Sequence, residues 1–230
     1  MDTHRKTAII VGMLYILGTV AGVCSVLVTQ PVLGASDYLA QIATNEMPIL
    51  IGILFVLTMG LALAVVPVLL FPILKLHNEV LALGYVVFRG ALEMVCYIAM
   101  AISWFFLIEV SQEFAAATVS DVAYLQSLGS IFLKGNDAIA NILVIVFSLD
   151  ALMLYFMLYQ SKLIPRWISV WGIIAIIMHF STAFLLMFHG IDMNTASLIN
   201  LPIFFQEMVM AVWLIAKGFD PVAIQRASAK

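Results

Sequence analysis

The chain has 230 residues, of which 64% are hydrophobic and only 10% charged, with a formal net charge of −3 and a mean hydropathy of +1.14. A soluble domain is about a quarter charged, so this chain has too little polar surface for a soluble enzyme, a disordered chain or a nucleic-acid-binding module. It reads as an integral membrane protein of the all-α class, with no basic patch to attract nucleic acid.

In chain order, six stretches carry the roughly 20 apolar residues that a helix needs to cross about 30 Å of hydrocarbon. The first runs from about Thr7 to Val28. His4-Arg5-Lys6 ahead of it is also how a signal peptide begins, but the apolar run outlasts a signal core of roughly 7–15 residues. Val23 stands before Cys24 where a lipoprotein signal needs a small residue, so a retained span is expected. Gly18 and Gly22 form a GxxxG pair that lets another helix come close. A contact within the bundle is the expected use, with a dimer face as the alternative. The second stretch, Pro48–Leu74, can be capped by Asn45 with Pro48 in its first turn. Pro67 and Pro72 should kink or end it. The third is Val80–Ile108.

The longest connection follows, over 109–135. In it Ser120-Asp121 can cap a short helix with Val122, Leu125, Leu128 and Phe132 on one face. That segment is read either as an amphipathic helix on the outer surface or as a compact cover over the bundle. The fourth stretch is Asp137–Tyr159, the fifth Pro165–Phe188, and the sixth Leu198–Ala216, with Pro202 near its start. None alternates with period two, so a barrel of strands is excluded. The chain is read as one transmembrane domain of six spans.

Lys and Arg set the orientation. Arg5, Lys6, Lys75, Lys162, Arg166, Lys217, Arg226 and Lys230 fall on one side, and Lys134 alone on the other. Both termini are therefore expected in the cytoplasm. Trp167 and Trp171 at the start of span five, and Trp104 near the outer end of span three, suit interfacial anchors.

The informative residues are those a bilayer should exclude. Arg89 and Glu93 lie in span three, Asp150 in four, His179 in five and Glu207 in six. At 1.5 Å per residue, Arg89, Asp150 and Glu207 lie about 15 Å from the cytoplasmic ends, and Glu93 and His179 about 20 Å. A charge at such depth costs roughly 2.5–3.5 kcal/mol on insertion scales. Five ionisable groups in one layer are expected to form one polar centre. Arg89 and Glu93 are four apart and can pair, and Tyr97 continues their stripe. Asn200 shares a face with Glu207, Gln206 adjoins it, and Thr182 lies one turn from His179. On span four, Asn141, Ser148 and Tyr155 lie nearly opposite Asp150, which places this helix centrally.

One arginine cannot neutralise three carboxylates. The remainder must be protonated, hydrated or bound to a cation. That setting suits a proton relay or cation site, and equally a structural network that sets helix register. For a metal, the paired i, i+3 or i, i+4 histidine ligands of helical zinc sites are missing, and no metal or other cofactor is expected. His77 and His189 fall at opposite surfaces, so neither can join the other on a haem. Ser148 and Ser181 lack a nucleophile motif, and a serine in a membrane helix usually bonds its own backbone. Cys24 and Cys96 read as small buried hydrophobes, and the 13 Met residues as packing. Glu93-Met94-Val95 and Glu207-Met208-Val209 echo each other at positions that an inverted repeat would make equivalent. No second echo supports such a repeat.

Four segments carry a family resemblance: the opening TAIIVGMLYILGTVAG, the YVVFRGALEMV stretch with Arg89 and Glu93, LIPRWISVWGII, and the closing NLPIFFQEMVMAVWLIAKGF. Over about Thr7 to Phe219 the chain resembles the bacterial multi-pass proteins of the domain of unknown function 4386 family. The resemblance implies a six- or seven-span protein of the bacterial cytoplasmic (inner) membrane and transfers no activity or catalytic residue. Two functional readings remain beside a structural or partner-binding role. In the first, Arg89, Glu93, Asp150, His179 and Glu207, with Tyr97, Asn200 and Gln206, form a proton-responsive centre for transport or binding. In the second, an intramembrane enzyme acts on a lipid-like substrate with Glu207 or His179 as general base. The partners expected are the bilayer and a small molecule, ion or lipid held among the helices.

Overall fold

The computed structural model describes residues 3–228. These form helices joined by short turns: α1 (Thr3–Leu33), α2 (Tyr38–Thr44), α3 (Met47–Leu74), α4 (Glu79–Tyr85), a π-helical segment (Val86–Leu92), α5 (Glu93–Ala116), α6 (Val122–Ser161), α7 (Arg166–Met187), α8 (Met193–Ala216) and α9 (Pro221–Ser228). Among the described residues six helices are long and apolar enough to cross a membrane: α1, α3, the continuous rod Glu79–Ala116, α6, α7 and α8. The protein is an integral multi-pass membrane protein, and its many exposed Leu, Ile, Val and Phe side chains on these helices are what lipid-facing surfaces require.

The helices outrun the expected spans. The connection expected over 109–135 shrinks to a turn at 117–121: α5 continues to Ala116, and α6 starts at Val122 and runs unbroken for 40 residues. The Ser120-Asp121 start is used, but no breaker strong enough to end the helix follows it. Gly135 is tolerated inside α6, where a Cβ would meet nothing within 4 Å. Pro67 and Pro72 lie inside α3, which reaches Leu74, and Pro202 lies inside α8. Each proline removes one amide donor without ending its helix. Asn45 accepts from the Met47 amide at 3.2 Å, as a cap should, but it also closes α2, a short helix that the hydropathy pattern left unread.

The contacts divide the chain into two compact units. One gathers the chain up to Leu17, Ala62–Met94, and everything from Asn141 onward. Its helices approach closely at small residues. A Cβ on Gly12 would lie 2.6 Å from the Ala211 carbonyl oxygen, and one on Gly172 would lie 2.8 Å from the Tyr155 ring. Arg5 closes the end of α8 by donating to the Leu214, Ile215 and Ala216 carbonyls at 3.0, 2.6 and 3.2 Å. Those are the orphan acceptors of a helix C-terminus. The α7–α8 turn is sharp, with His189 at φ 55°, and Asp192 then caps α8 by accepting from the Thr195 amide at 2.9 Å.

The other unit comprises Gly18–Leu61 and Val95–Ala140. Here Ser25 donates to the Gly52 carbonyl at 3.0 Å, and Gly52 leaves room for the Thr29 methyl and the Trp104 ring. Gly22 of the GxxxG pair faces Met59, so this glycine serves a contact inside the chain. Asn136 donates to the Met100 carbonyl at 3.1 Å and Ser103 to that of Phe132 at 3.0 Å, pinning the first half of α6 to α5. Cys24 and Cys96, both in this unit, form no disulfide.

Candidate functional site

The site starts from an irregularity in the third membrane rod. Between α4 and α5 the backbone widens into π-helix over Val86–Leu92, and the Glu93 amide bonds the Phe88 carbonyl five residues back. Such single-turn π segments occur often at functional sites. Gly90 sits in the middle of this one. A Cβ there would lie 3.6 Å from both the Ala64 carbonyl and the Pro67 ring, an ordinary contact distance, so the wide turn lies against α3.

The widened turn carries Arg89, whose side chain is only 1% exposed. Its three nitrogens address three carboxylates on three helices. Nε lies 3.3 Å from Glu93 Oε2, Nη1 3.5 Å from Asp150 Oδ1 of α6, and Nη2 3.5 Å from Glu207 Oε1 of α8. Glu93 and Asp150 are as buried as the arginine, whereas Glu207 keeps 15% of its side chain exposed. These separations exceed the 2.7–2.9 Å of tight charge-assisted pairs. The guanidinium therefore stands at the focus of the three acids rather than clamped to one. Its faces are covered by aromatic rings, with Phe147 at 4.9 Å and Tyr15 at 5.5 Å from the guanidinium carbon to each centroid. This is a desolvated cation–π setting. The Tyr15 hydroxyl in turn meets that of Tyr85 at 3.1 Å.

The carboxyl groups of Glu93 and Asp150 also lie within hydrogen-bonding reach of each other. Two ionised carboxylates have no hydrogen to share, so this contact becomes a bond only when one of them carries a proton.

The other residues singled out from the sequence are placed differently. His179 stands edge-on to Phe147, with centroids 5.2 Å apart, so that ring separates it from Arg89. Its neighbours are Asn200, which hydrogen-bonds its side chain, and Thr182. The Thr182 hydroxyl is shared between the His179 carbonyl at 2.7 Å and Asn200 Oδ1 at 3.3 Å. Gln206 points away from the acids and donates to the Ile168 carbonyl of α7 at 3.1 Å. Tyr97 is buried in the other unit. Ser148 and Ser181 each donate to a carbonyl of their own helix, Val144 and Met178, at 2.6 Å. Asn141 donates to the Ala183 carbonyl at 3.1 Å.

Sequence reasoning missed Tyr15, Tyr85 and Phe147, because aromatic residues in an apolar helix look like packing. The π segment left no trace in the hydropathy pattern beyond Gly90 beside Arg89. Among the described residues no group of three His, Cys, Asp or Glu side chains is arranged to hold a metal ion. The cation at the centre of these acids is the guanidinium itself.

Beneath Tyr15 lies a void of about 10 Å³, bordered by Leu154, Met210, Ile164 and Phe219. That is near the lower limit for a single water. Ile164 and Phe219 also line a cavity of about 450 Å³ at the ends of α6 and α8.

Residues 10–218 match the family described as "Domain of unknown function (DUF4386)". Neither the curated proteins nor the solved structures give a match to the chain.

Proposed function

The chain belongs to the DUF4386 family, and from the geometry of its buried centre we propose that it is a proton-coupled binding or transport protein for a small ligand or ion. The observation that carries this reading is one buried guanidinium facing three carboxylates from three helices. If all four groups were ionised, the centre would hold two uncompensated negative charges in a desolvated site. Burial of unpaired charge costs several kcal/mol or more, so the centre takes up protons or a cation instead. The Glu93–Asp150 contact is the natural seat of one such proton. Glu207, the most exposed of the three acids, is the group through which it exchanges.

Arg89 has two roles in this scheme. It holds the site positive when the acids are protonated, and it supplies a fork for an anionic group of the ligand. His179, on the far side of Phe147, serves as a second station rather than as a direct partner of the acids. The void below Tyr15 is small and walled by apolar groups, and Ile164 and Phe219 stand between it and the larger cavity at the end of the bundle where α6 and α8 finish. We place that end, with both chain termini, in the cytoplasm of a bacterium, on the distribution of basic residues.

The intramembrane-enzyme reading has less support. The hydroxyls that would act as nucleophiles are bonded to their own helices, and His179 is held by Asn200 and screened by Phe147.

The test is proton flux. Protein reconstituted in vesicles containing a pH-sensitive dye should dissipate an imposed pH gradient faster than empty vesicles, and Glu207→Gln should lower the rate at least tenfold. Equal rates for the two proteins would remove Glu207 from the pathway. Reporter fusions at both ends of the chain check the orientation.

A further inference from the structure

The cavity of about 450 Å³ lies where α6 ends, α7 begins and α8 ends, so three membrane helices reach the same surface around it. Its volume is within the roughly 300–1,000 Å³ of small-molecule sites. Lys162, Arg166 and Lys217 line it together with Trp213, Phe219 and Asp220.

The charges do not cancel. Among the described residues none of the three cations has a carboxylate in ion-pair range. The one acid at the cavity, Asp220, is committed elsewhere: its Oδ1 accepts from the Val222 amide at 2.8 Å and the Ala223 amide at 3.4 Å, capping α9. Its own amide donates to the Leu163 carbonyl at 2.9 Å, which ties the α8–α9 turn to the α6–α7 turn and gives the cavity a fixed wall. Arg166 is held over the Tyr159 ring at 4.9 Å. Lys162 adopts the left-handed backbone region, with φ 59°, a conformation costly for a residue with a side chain. Pro165 offers no side-chain cap to α7, so the positive end of a 22-residue helix adds to the same field.

We propose that this cavity is a binding site for a phosphate mono- or diester anion at the membrane surface. Basic pockets between membrane helices, at the level where chains meet headgroups, are complementary to lipid phosphate. Trp213 and Phe219 supply apolar walls for the glycerol and upper acyl region, while the three cations meet the phosphate oxygens. A free organic phosphate would present the same oxygens.

The test uses full-length protein in nanodiscs of phosphatidylcholine containing a minor fraction of phosphatidylglycerol. Native mass spectrometry reads which lipid stays bound on release from the disc. Wild-type protein should retain phosphatidylglycerol over phosphatidylcholine, and the triple variant Lys162→Gln, Arg166→Gln, Lys217→Gln should lose at least tenfold of that retention. Inorganic phosphate and glycerol phosphate, titrated against wild type and variant in detergent, form the second arm. Saturable binding in wild type alone supports the site with a soluble source. Retention of the acidic lipid alone supports it with a lipid source. No preference for either anion by wild type, or equal binding by the variant, overturns the proposal. Circular dichroism of the triple variant and the three single variants shows whether loss of binding comes with loss of fold, and if the triple variant is misfolded, the folded single variants decide.

Discussion

Arg89 Nη1 stands 3.5 Å from Asp150 Oδ1, and neither side chain is more than 1% exposed. The pair is unequal in its consequences, because the arginine serves three acids and each acid shares one arginine. Replacing Arg89 with Gln leaves three buried carboxylates without a counter-charge. It should cost about 3–5 kcal/mol, the usual penalty for breaking a buried pair from one side. Asp150→Asn removes one surplus negative charge at nearly constant volume and should change stability by no more than about 1 kcal/mol. Denaturant unfolding in detergent micelles reads both. A larger loss in Asp150→Asn than in Arg89→Gln would reverse the charge assignment.

Close packing at glycine makes a second expectation. Gly172 brings α7 against the Tyr155 ring, and a Cβ would lie 2.8–2.9 Å from three of its atoms. The affected atoms belong to the base of a fully buried ring, which cannot swing aside. Gly172→Ala should lower stability by about 1–3 kcal/mol, the cost of overpacking. The melting temperature of the purified protein checks this. Gly135→Ala, at a position with open space, serves as a control with little effect.

The Arg5 contacts predict a local effect. Its three hydrogen bonds close the last turn of α8, and Gly218, at φ 76°, takes the chain out of that helix directly beside the Arg5 guanidinium. Arg5→Ala should cost about 1.5–3 kcal/mol as a lost charged hydrogen-bond set. It should also raise amide exchange at the C-terminal end of α8, leaving the middle of the helix unchanged. Uniform protection along α8 would show that the arginine is dispensable there.

At the other end of α8 the cap is sensitive to acid. The Thr195 hydroxyl and amide hold the exposed Asp192 carboxyl below the usual aspartate range. Its folded value is therefore lower than its unfolded one. The cap is fully present above the ordinary aspartate range and is lost as pH falls through the depressed value. Amide exchange in the first turn of α8 should rise on acidification in wild type. Asp192→Asn, which keeps the acceptor without the titration, should remove that pH dependence.

Much of this architecture was legible because a bilayer demands one thing of every span, and apolar runs of the required length show it directly. What the runs could not show is where a helix stops once it leaves hydrocarbon. The first part of α6, Val122–Gly135, is too polar to count as a span, and its sequence alone reads as a loop or a separate helix. Yet backbone hydrogen bonding continues through it, and Asn136 and Phe132 fasten it to α5. Charged residues at depth were conspicuous for the same reason that spans were: Arg89, Glu93, Asp150 and Glu207 are costly there, and the structure brings all four together. His179 sits one ring away because depth alone cannot give azimuth, and Phe147 fills the gap. Gln206 neighbours Glu207 in sequence, but successive residues on a helix point about 100° apart, so it faces α7 instead.

The most direct measurement is infrared difference spectroscopy of the protein in lipid across a pH titration, reading the carbonyl stretch of protonated carboxyl groups. A proton held among Glu93, Asp150 and Glu207 predicts a carboxylic-acid band that persists near neutral pH. The band should shift in deuterated water and be diminished in Asp150→Asn or Glu93→Gln. Folded wild-type protein with no such band near neutral pH, or an unchanged band in all three amide variants including Glu207→Gln, would contradict a proton-carrying centre.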